Sequence, residues 1–217
     1  MQTSNIHVVG AGGTGAFLIQ LLAKTMKEFT IWDGDTYEEK NLDRQLVSPD
    51  EIGQHKAEVW GKRYGQMFFC DYFSGSIEGS TPTIFCCADN HPARLACIQA
   101  ADSYRGTAII CGNEKTDAEA YYYHWEMYGE ATDPRVYYPD LLTDKTGDPM
   151  MPCTGEVLDE TPQLAISNSL AAGYAMWLYW FWSVEAPRIR DDMLYPIKVS
   201  SNYSRVRTTT IGDMHNG

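Results

Sequence analysis

Two cations, Arg44 and Lys56, stand a short way behind an acidic stretch. Arg44 lies in "DGDTYEEKNLDRQLV", which runs from Asp33 to Val47, and Lys56 lies in "GQHKAEVW". Asn41 and Gln45 sit beside Arg44, and Asp89 stands further on in "CCADNHPAR". Guanidinium and ammonium groups suit a phosphate chain on which charge builds as pyrophosphate leaves. A carboxylate such as Asp89 suits magnesium, a hard cation that takes oxygen ligands. Near the start, "HVVGAGGTGAFLIQLLAK" spaces Gly10, Gly12 and Gly15 as G-x-G-x-x-G, with Gly13 an extra glycine. Glycines there permit a tight turn and let backbone N–H groups at a helix start approach phosphate closely. Asp33 ends the next apolar run, where an acid can hold a ribose hydroxyl. The glycine turn and Asp33 alone fit a NAD-dependent oxidoreductase equally well. That reading leaves Arg44, Lys56 and Asp89 without a task.

These groups can meet only if the elements between them bring their ends to one edge. Asn5–Val9 reads as a strand, Gly13–Lys27 as a helix and Phe29–Asp33 as a second strand. Gly53–Gln66 reads as a helix, Met67–Asp71 and Thr83–Cys87 as strands, and the stretch after Asp89 as a helix with Pro92 in its first turn. Thr107–Gly112 is a fifth strand. Strands alternating with helices predict an α/β, Rossmann-like, mostly parallel sheet with helices on both faces. The chain then changes character. "YYYHWEMYG" reads as an exposed edge strand, residues 129–160 as a long crossing loop and about 161–184 as a helix. "YPIKVS" and "RVRTTTI" read as two antiparallel strands. We expect a single domain over residues 1–217, with a nucleotide-binding half at 1–112 and the crossover loop, helix and antiparallel strands at 113–217.

Composition narrows the partners. Of 217 residues, 17 are basic and 29 acidic, for a formal charge of −12. That argues against a nucleic-acid surface or an anionic membrane. Six cysteines show no C-x-x-C spacing, which fits a reduced, cytoplasmic protein. The glycine turn starts ten residues in, so no signal peptide is expected. The uncharged stretch 164–184 carries Ser, Asn and Gly, and reads as a buried or interface helix rather than a membrane span. Arg188, Arg190, Arg205 and Arg207 read as a solvated basic tail region.

The order of motifs, glycine turn, "D-G-D…N-L-x-R-Q", "G-Q-x-K" and "A-D-N…R", resembles the ThiF/MoeB/HesA branch of the ubiquitin-activating enzyme superfamily. The likeness covers residues 5–112 well and 150–180 weakly, and extends to the shorter ThiF-like proteins of mobile-element PRTRC clusters. It implies adenylation, with ATP and magnesium, of the C-terminal carboxylate of a ubiquitin-like or sulfur-carrier protein, by a homodimer. On that resemblance Gly10, Gly12, Gly13 and Gly15 cradle the nucleotide and Asp33 holds the ribose, with Asp35 two residues on. Asn41, Arg44, Gln45 and Lys56 serve the phosphates, Asp89 ligates magnesium, and Asn90 sits beside it. Cys153 stands where relatives carry a cysteine ahead of a helix, and a thiolate there would take the acyl group. Its acidic neighbours Glu156, Asp159 and Glu160 oppose a thiolate. Two departures stand out. Only nine residues precede Gly10, so the arginine-bearing helix that relatives place before the turn is missing, and the paired C-x-x-C zinc motifs are absent. A catalytically weakened nucleotide-binding interaction module is therefore a third reading.

Overall fold

The computed structural model describes residues 5–25, 28–43, 45–113, 117–145, 165–185, 196–202, 205–211 and 213. Eight strands form one sheet in the order β3-β2-β1-β4-β5-β6-β7-β8. β1 (Ile6–Val9), β2 (Thr30–Trp32), β3 (Met67–Phe69), β4 (Thr83–Cys86) and β5 (Thr107–Asn113) pair in parallel. β6 (Ala118–His124), β7 (Pro196–Asn202) and β8 (Arg205–Thr210) continue the sheet antiparallel. The expected α/β class, with antiparallel strands at the C-terminal end, is the fold observed.

Side-chain alternation along the strands makes two cores, one on each face. Phe85 of β4 and Ile109 and Cys111 of β5 face one core, with Leu18, Ile19 and Leu22 of α1 (Gly13–Thr25), Trp60 of α2 (Lys56–Tyr64) and Leu178 of α6 (Ala165–Trp180). Ile84 and Cys86 of β4 and Ala108 and Ile110 of β5 face the other, with Cys97 and Ile98 of α3 (His91–Tyr104). Two short helices, α4 (Pro134–Tyr137) and α5 (Asp140–Thr143), follow β6, and Leu141 joins that second core. Small residues set how closely α6 approaches: Ala171, Ala172 and Ala175 are fully buried. Among the described residues no helix is long and apolar enough to cross a membrane.

Several sequence expectations need correction. "YYYHWEMYG" is not an exposed edge: β6 lies between β5 and β7, and Tyr121, Tyr122 and Tyr123 are buried. β7 arrives from far along the chain and pairs outside β6, an event that local polarity does not announce. The tyrosine hydroxyls still find partners indoors, Tyr121 donating to the Thr132 carbonyl and Tyr123 to Asp102. The second helix begins at Lys56 rather than Gly53, because Gly53 takes φ +85° and His55 bridges to Thr36 instead. The stretch 129–160 is broken by α4 and α5, and its residues 146–160 lie outside the described residues.

Candidate functional site

The site forms where β1, β2 and β4 end, because β1 has β2 on one side and β4 on the other. The turn after β1 therefore lies between the acid that follows β2 and the acid that follows β4. Gly10 takes φ +91°, a left-handed conformation that favours glycine, and a Cβ there would meet the Ala88 nitrogen at 2.9 Å. Gly15 is demanded by packing, since a Cβ would lie 1.9 Å from the Gly10 carbonyl oxygen. The glycines thus let the β1 turn, the start of α1 and the end of β4 come together. A Cβ on Gly13 would sit 2.4 Å from the Asn168 side-chain nitrogen. On Gly12 it would meet only Gln45, at 3.7 Å, an ordinary contact.

Asp33 reaches back to this turn. One carboxylate oxygen accepts from the Ala11 N–H at 2.6 Å and the other from the Asp35 N–H at 2.8 Å. Burial pushes its pKa up, while Lys56 and the two backbone donors pull against that. Asp33 therefore acts as a brace that fixes the glycine turn to the loop after β2, and a ribose hydroxyl would have to share oxygens already engaged. Asp35 is half-exposed and holds Lys56: its Oδ2 lies 2.9 Å from Lys56 Nζ, and Tyr72 donates to its Oδ1 at 2.6 Å. Burial acts to raise the Asp35 pKa, but the bonds from Lys56 and Tyr72 and the Lys56 charge bring it below the usual carboxylate value. Lys56 begins α2, its side chain nearly enclosed. One of its three donors is on Asp35, which leaves the others for a ligand.

Asn41 is buried, and its amide oxygen accepts from the Glu38 N–H at 2.9 Å, closing a 3₁₀ turn at Glu39–Asn41. Asn90 caps α3, its side-chain oxygen accepting from the Ala93 N–H at 2.9 Å. Both asparagines expected at the nucleotide thus have an oxygen spent on local backbone. Asp89, immediately before that cap, is exposed and faces a cavity of about 700 Å³. A lone carboxylate fits magnesium held largely by phosphate oxygens and water. Among the described residues there is no cluster of three or more His, Cys, Asp or Glu side chains able to hold a metal without such help. Arg44 and Cys153 lie outside the described residues.

The sequence reading passed over a polar knot beneath the turn. Thr14 of α1 donates to Asn168 of α6 at 3.1 Å and to Asn113 of β5 at 3.3 Å, and Asn113 donates to the same Asn168 oxygen. Asn168 is fully buried, and its side-chain nitrogen has no partner among the described residues, as is also true of the Gln45 side-chain oxygen. Two unspent amide groups therefore flank the glycine turn. An asparagine within the otherwise apolar "LAISNSLAAGYAMW" was the available signal.

Comparison with known proteins follows this geometry. The ThiF family model matches residues 1–69. The chain is 31% identical over 125 residues, 55% of its own length and 32% of the relative's, to the adenylyltransferase and sulfurtransferase UBA4 of Yarrowia lipolytica. It is 47% identical over 58 residues to the SAMP-activating enzyme E1 of Haloferax volcanii, covering 26% of this chain and 22% of that one. Among solved structures, PaaA superposes with a TM-score of 0.66 at 18% identity, over 97% of this chain and 64% of PaaA. MccB of E. coli, crystallised with AMPCPP and MccA, does so with a TM-score of 0.63 at 16% identity, over 95% and 63%. These two structures share the fold. The chain spans about a third or less of the curated relatives it matches, and under two thirds of either structure. Residues 1–69, which hold the glycine turn and the Asp33-to-Lys56 loop, are thus the part of the chain that matches the ThiF family.

Proposed function

We propose that this protein uses ATP to adenylate a C-terminal carboxylate of a ubiquitin-like protein, sulfur-carrier protein or peptide, releasing pyrophosphate. A carboxylate oxygen attacks the α-phosphorus, the bond from that phosphorus to the bridging oxygen breaks, and the electron pair leaves with pyrophosphate. The observation that carries this reading is Lys56, an ammonium held 2.9 Å from Asp35 at the rim of the glycine turn. A hydride-transfer site has no use for a cation fixed there, whereas a departing pyrophosphate does. Arg44, by its place in "NLDRQ", adds a second positive charge. The unspent Asn168 donor beside Gly13 suits a phosphate oxygen. Relatives named as an adenylyltransferase and as an activating enzyme support the reading, as do structures of MccB holding ATP or AMPCPP.

Asp89 would hold magnesium, which when bound neutralises charge on the triphosphate. We also read the protein as a homodimer over its whole 1–217 domain. Ile166, Leu170, Trp177 and Trp180 stand on the outer side of α6, each exposed by 40% or more, and Leu21 of α1 is exposed by 40%. An apolar stripe of that kind calls for a cover, and a second copy supplies one. A reducing, cytoplasmic setting fits Cys87 and Cys111, whose sulfurs lie 3.9 Å apart and unbonded.

Pyrophosphate exchange with the acyl partner tests the reaction. Lys56→Ala should cost about 2–4 kcal/mol in the barrier, two to three orders of magnitude in rate, with a much smaller loss of ATP affinity. Asp89→Ala should abolish the magnesium dependence of ATP binding in calorimetry. Wild-type exchange by Lys56→Ala would remove the adenylation reading. A monomeric mass for the wild type in light scattering would remove the dimer.

A further inference from the structure

Gly34, the middle residue of "DGD", and the loop that follows β3 have no task in the chemistry above. A Cβ on Gly34 would meet three ring carbons of Tyr72 at 2.9, 2.9 and 3.0 Å, so glycine lets that ring lie against the backbone just ahead of Asp35. Residues on either side of Tyr72 are anchored to β2 and its end. Phe69, the last residue of β3, accepts from the Asp33 N–H through its carbonyl at 3.2 Å, and its ring stacks on Trp32 with centroids 4.1 Å apart. Phe73 is buried and meets Trp32 edge-on at 5.4 Å. The loop after β3 is thereby docked beside the loop after β2, with Tyr72 between the two anchors.

Tyr72 is 55% exposed, yet its hydroxyl is committed, donating to Asp35 Oδ1 at 2.6 Å. Asp35 in turn grips Lys56 twice. Its carbonyl accepts from the Lys56 N–H at 3.0 Å, and its Oδ2 lies 2.9 Å from Nζ. The Asp35 side chain is 47% exposed, so water competes for both of its oxygens. Without the Tyr72 bond that carboxylate could turn and trade the ammonium for water. With Oδ1 occupied, Asp35 engages Lys56 through Oδ2, and the remaining ammonium hydrogens are left for a ligand. Lys40, the other cation that acts on Asp35, is mostly exposed and paired with Glu38 at 3.0 Å.

We propose that Tyr72 is a positioning residue for Lys56: its hydroxyl locks the Asp35 carboxylate, and the locked carboxylate holds the ammonium where pyrophosphate leaves. This rests on the adenylation reading above. Tyr72 touches no reacting atom in that scheme. It supplies preorganisation, because a cation stabilises developing charge best when it need not reorient as the bond breaks. The hydroxyl therefore acts on the leaving phosphates, and only through Asp35 and Lys56. The ring has a separate task, packing over Gly34. Tyr72→Phe divides the two, since it removes the bond and keeps the ring.

The test titrates the full chain, by calorimetry, with magnesium pyrophosphate and with AMP. Pyrophosphate carries the charge that the leaving group acquires, whereas AMP lacks the β- and γ-phosphates. Tyr72→Phe should weaken pyrophosphate binding about five- to tenfold, the worth of one hydrogen bond, with AMP affinity changed by less than about twofold. Its thermal midpoint should stay near that of the wild type. The loss should vanish when the same substitution is made in Lys56→Ala or Asp35→Asn, as residues acting in one chain of contacts require. Wild-type pyrophosphate affinity in Tyr72→Phe, an equal loss for AMP, or a loss that persists undiminished beside Lys56→Ala overturns the proposal. If Lys56→Ala weakens pyrophosphate binding and Tyr72→Phe does not, the role of Tyr72 falls and adenylation stands. Wild-type pyrophosphate binding by Lys56→Ala removes the adenylation reading and the role of Tyr72 with it.

Discussion

The two halves of the sheet treat their polar groups in opposite ways. Around the parallel half, a run of polar side chains is engaged within the chain, while His7 Nε2, Thr30 Oγ1, Gln45 Oε1 and the Asn168 nitrogen are buried without partners among the described residues. Asp33 braces Ala11 and Asp35, Asp35 holds Lys56, and Thr14, Asn113 and Asn168 bond to one another. Along the antiparallel half, Arg205 and Arg207 reach the cavity with no ion pair among the described residues. The first half is preorganised, so that its dipoles and cations stand ready before a ligand arrives, the arrangement that electrostatic catalysis favours. The second pairs Glu119 with Lys198 and leaves Arg205 and Arg207 exposed, in no ion pair among the described residues. Substitutions at those braced groups should therefore destabilise the fold, and substitutions at the two arginines should leave it nearly untouched.

The largest effect is expected at Gly15, where any side chain collides with the Gly10 carbonyl, a backbone atom that cannot swing aside. Gly15→Val should lower stability by about 3 kcal/mol, the upper end of overpacking costs, and abolish ATP binding. Denaturant midpoints and nucleotide titration would show this, and a stable, ATP-binding variant would break the view of the turn as tightly built. Acid should act almost as strongly through His7. It is buried on β1, accepts a bond from the Trp32 indole at 3.2 Å, and burial lowers its pKa from 6.5 to about 4. The unfolded chain therefore takes up the proton first. Stability from this group is complete above 6.5 and declines as pH falls toward about 4, by about 3 kcal/mol in all. His7→Phe should flatten that window in pH-dependent melts.

Asn168→Ala comes next, at about 2 kcal/mol, because it removes the buried oxygen that accepts from both Thr14 and Asn113. Its stability loss should be accompanied by weaker ATP binding if the amide faces phosphate. The smallest effect belongs to the other half: Arg205→Ala and Arg207→Ala should change stability by no more than about 0.5 kcal/mol each. A large loss at either arginine would mean that its charge is already used in folding, and the contrast between the halves would fail.

Much of this was readable in the amino-acid order, for a local reason. A glycine spacing and an acid at a strand end act over a few residues, so Gly10, Gly15, Asp33 and the alternation of strands and helices could be assigned without coordinates. The same locality misjudged roles. Asp33 looked like a free ribose ligand, and only the fold turned it onto Ala11 and Asp35. Asn168 lies 154 residues from Thr14, and no pattern along the chain connects them. Arg205 and Arg207 are exposed, as a solvated stretch would be, but only the pairing of β7 with β8 sets them in line with Ser200 and Glu119. β6 looked like an edge because the strand that covers it comes more than seventy residues later. The sequence by itself determined the glycine turn, the parallel α/β half and the chemical types of the candidate site residues. Tertiary structure alone decided which polar groups satisfy one another and which stay free for a ligand, because that depends on strand pairing and helix packing between residues far apart in the chain.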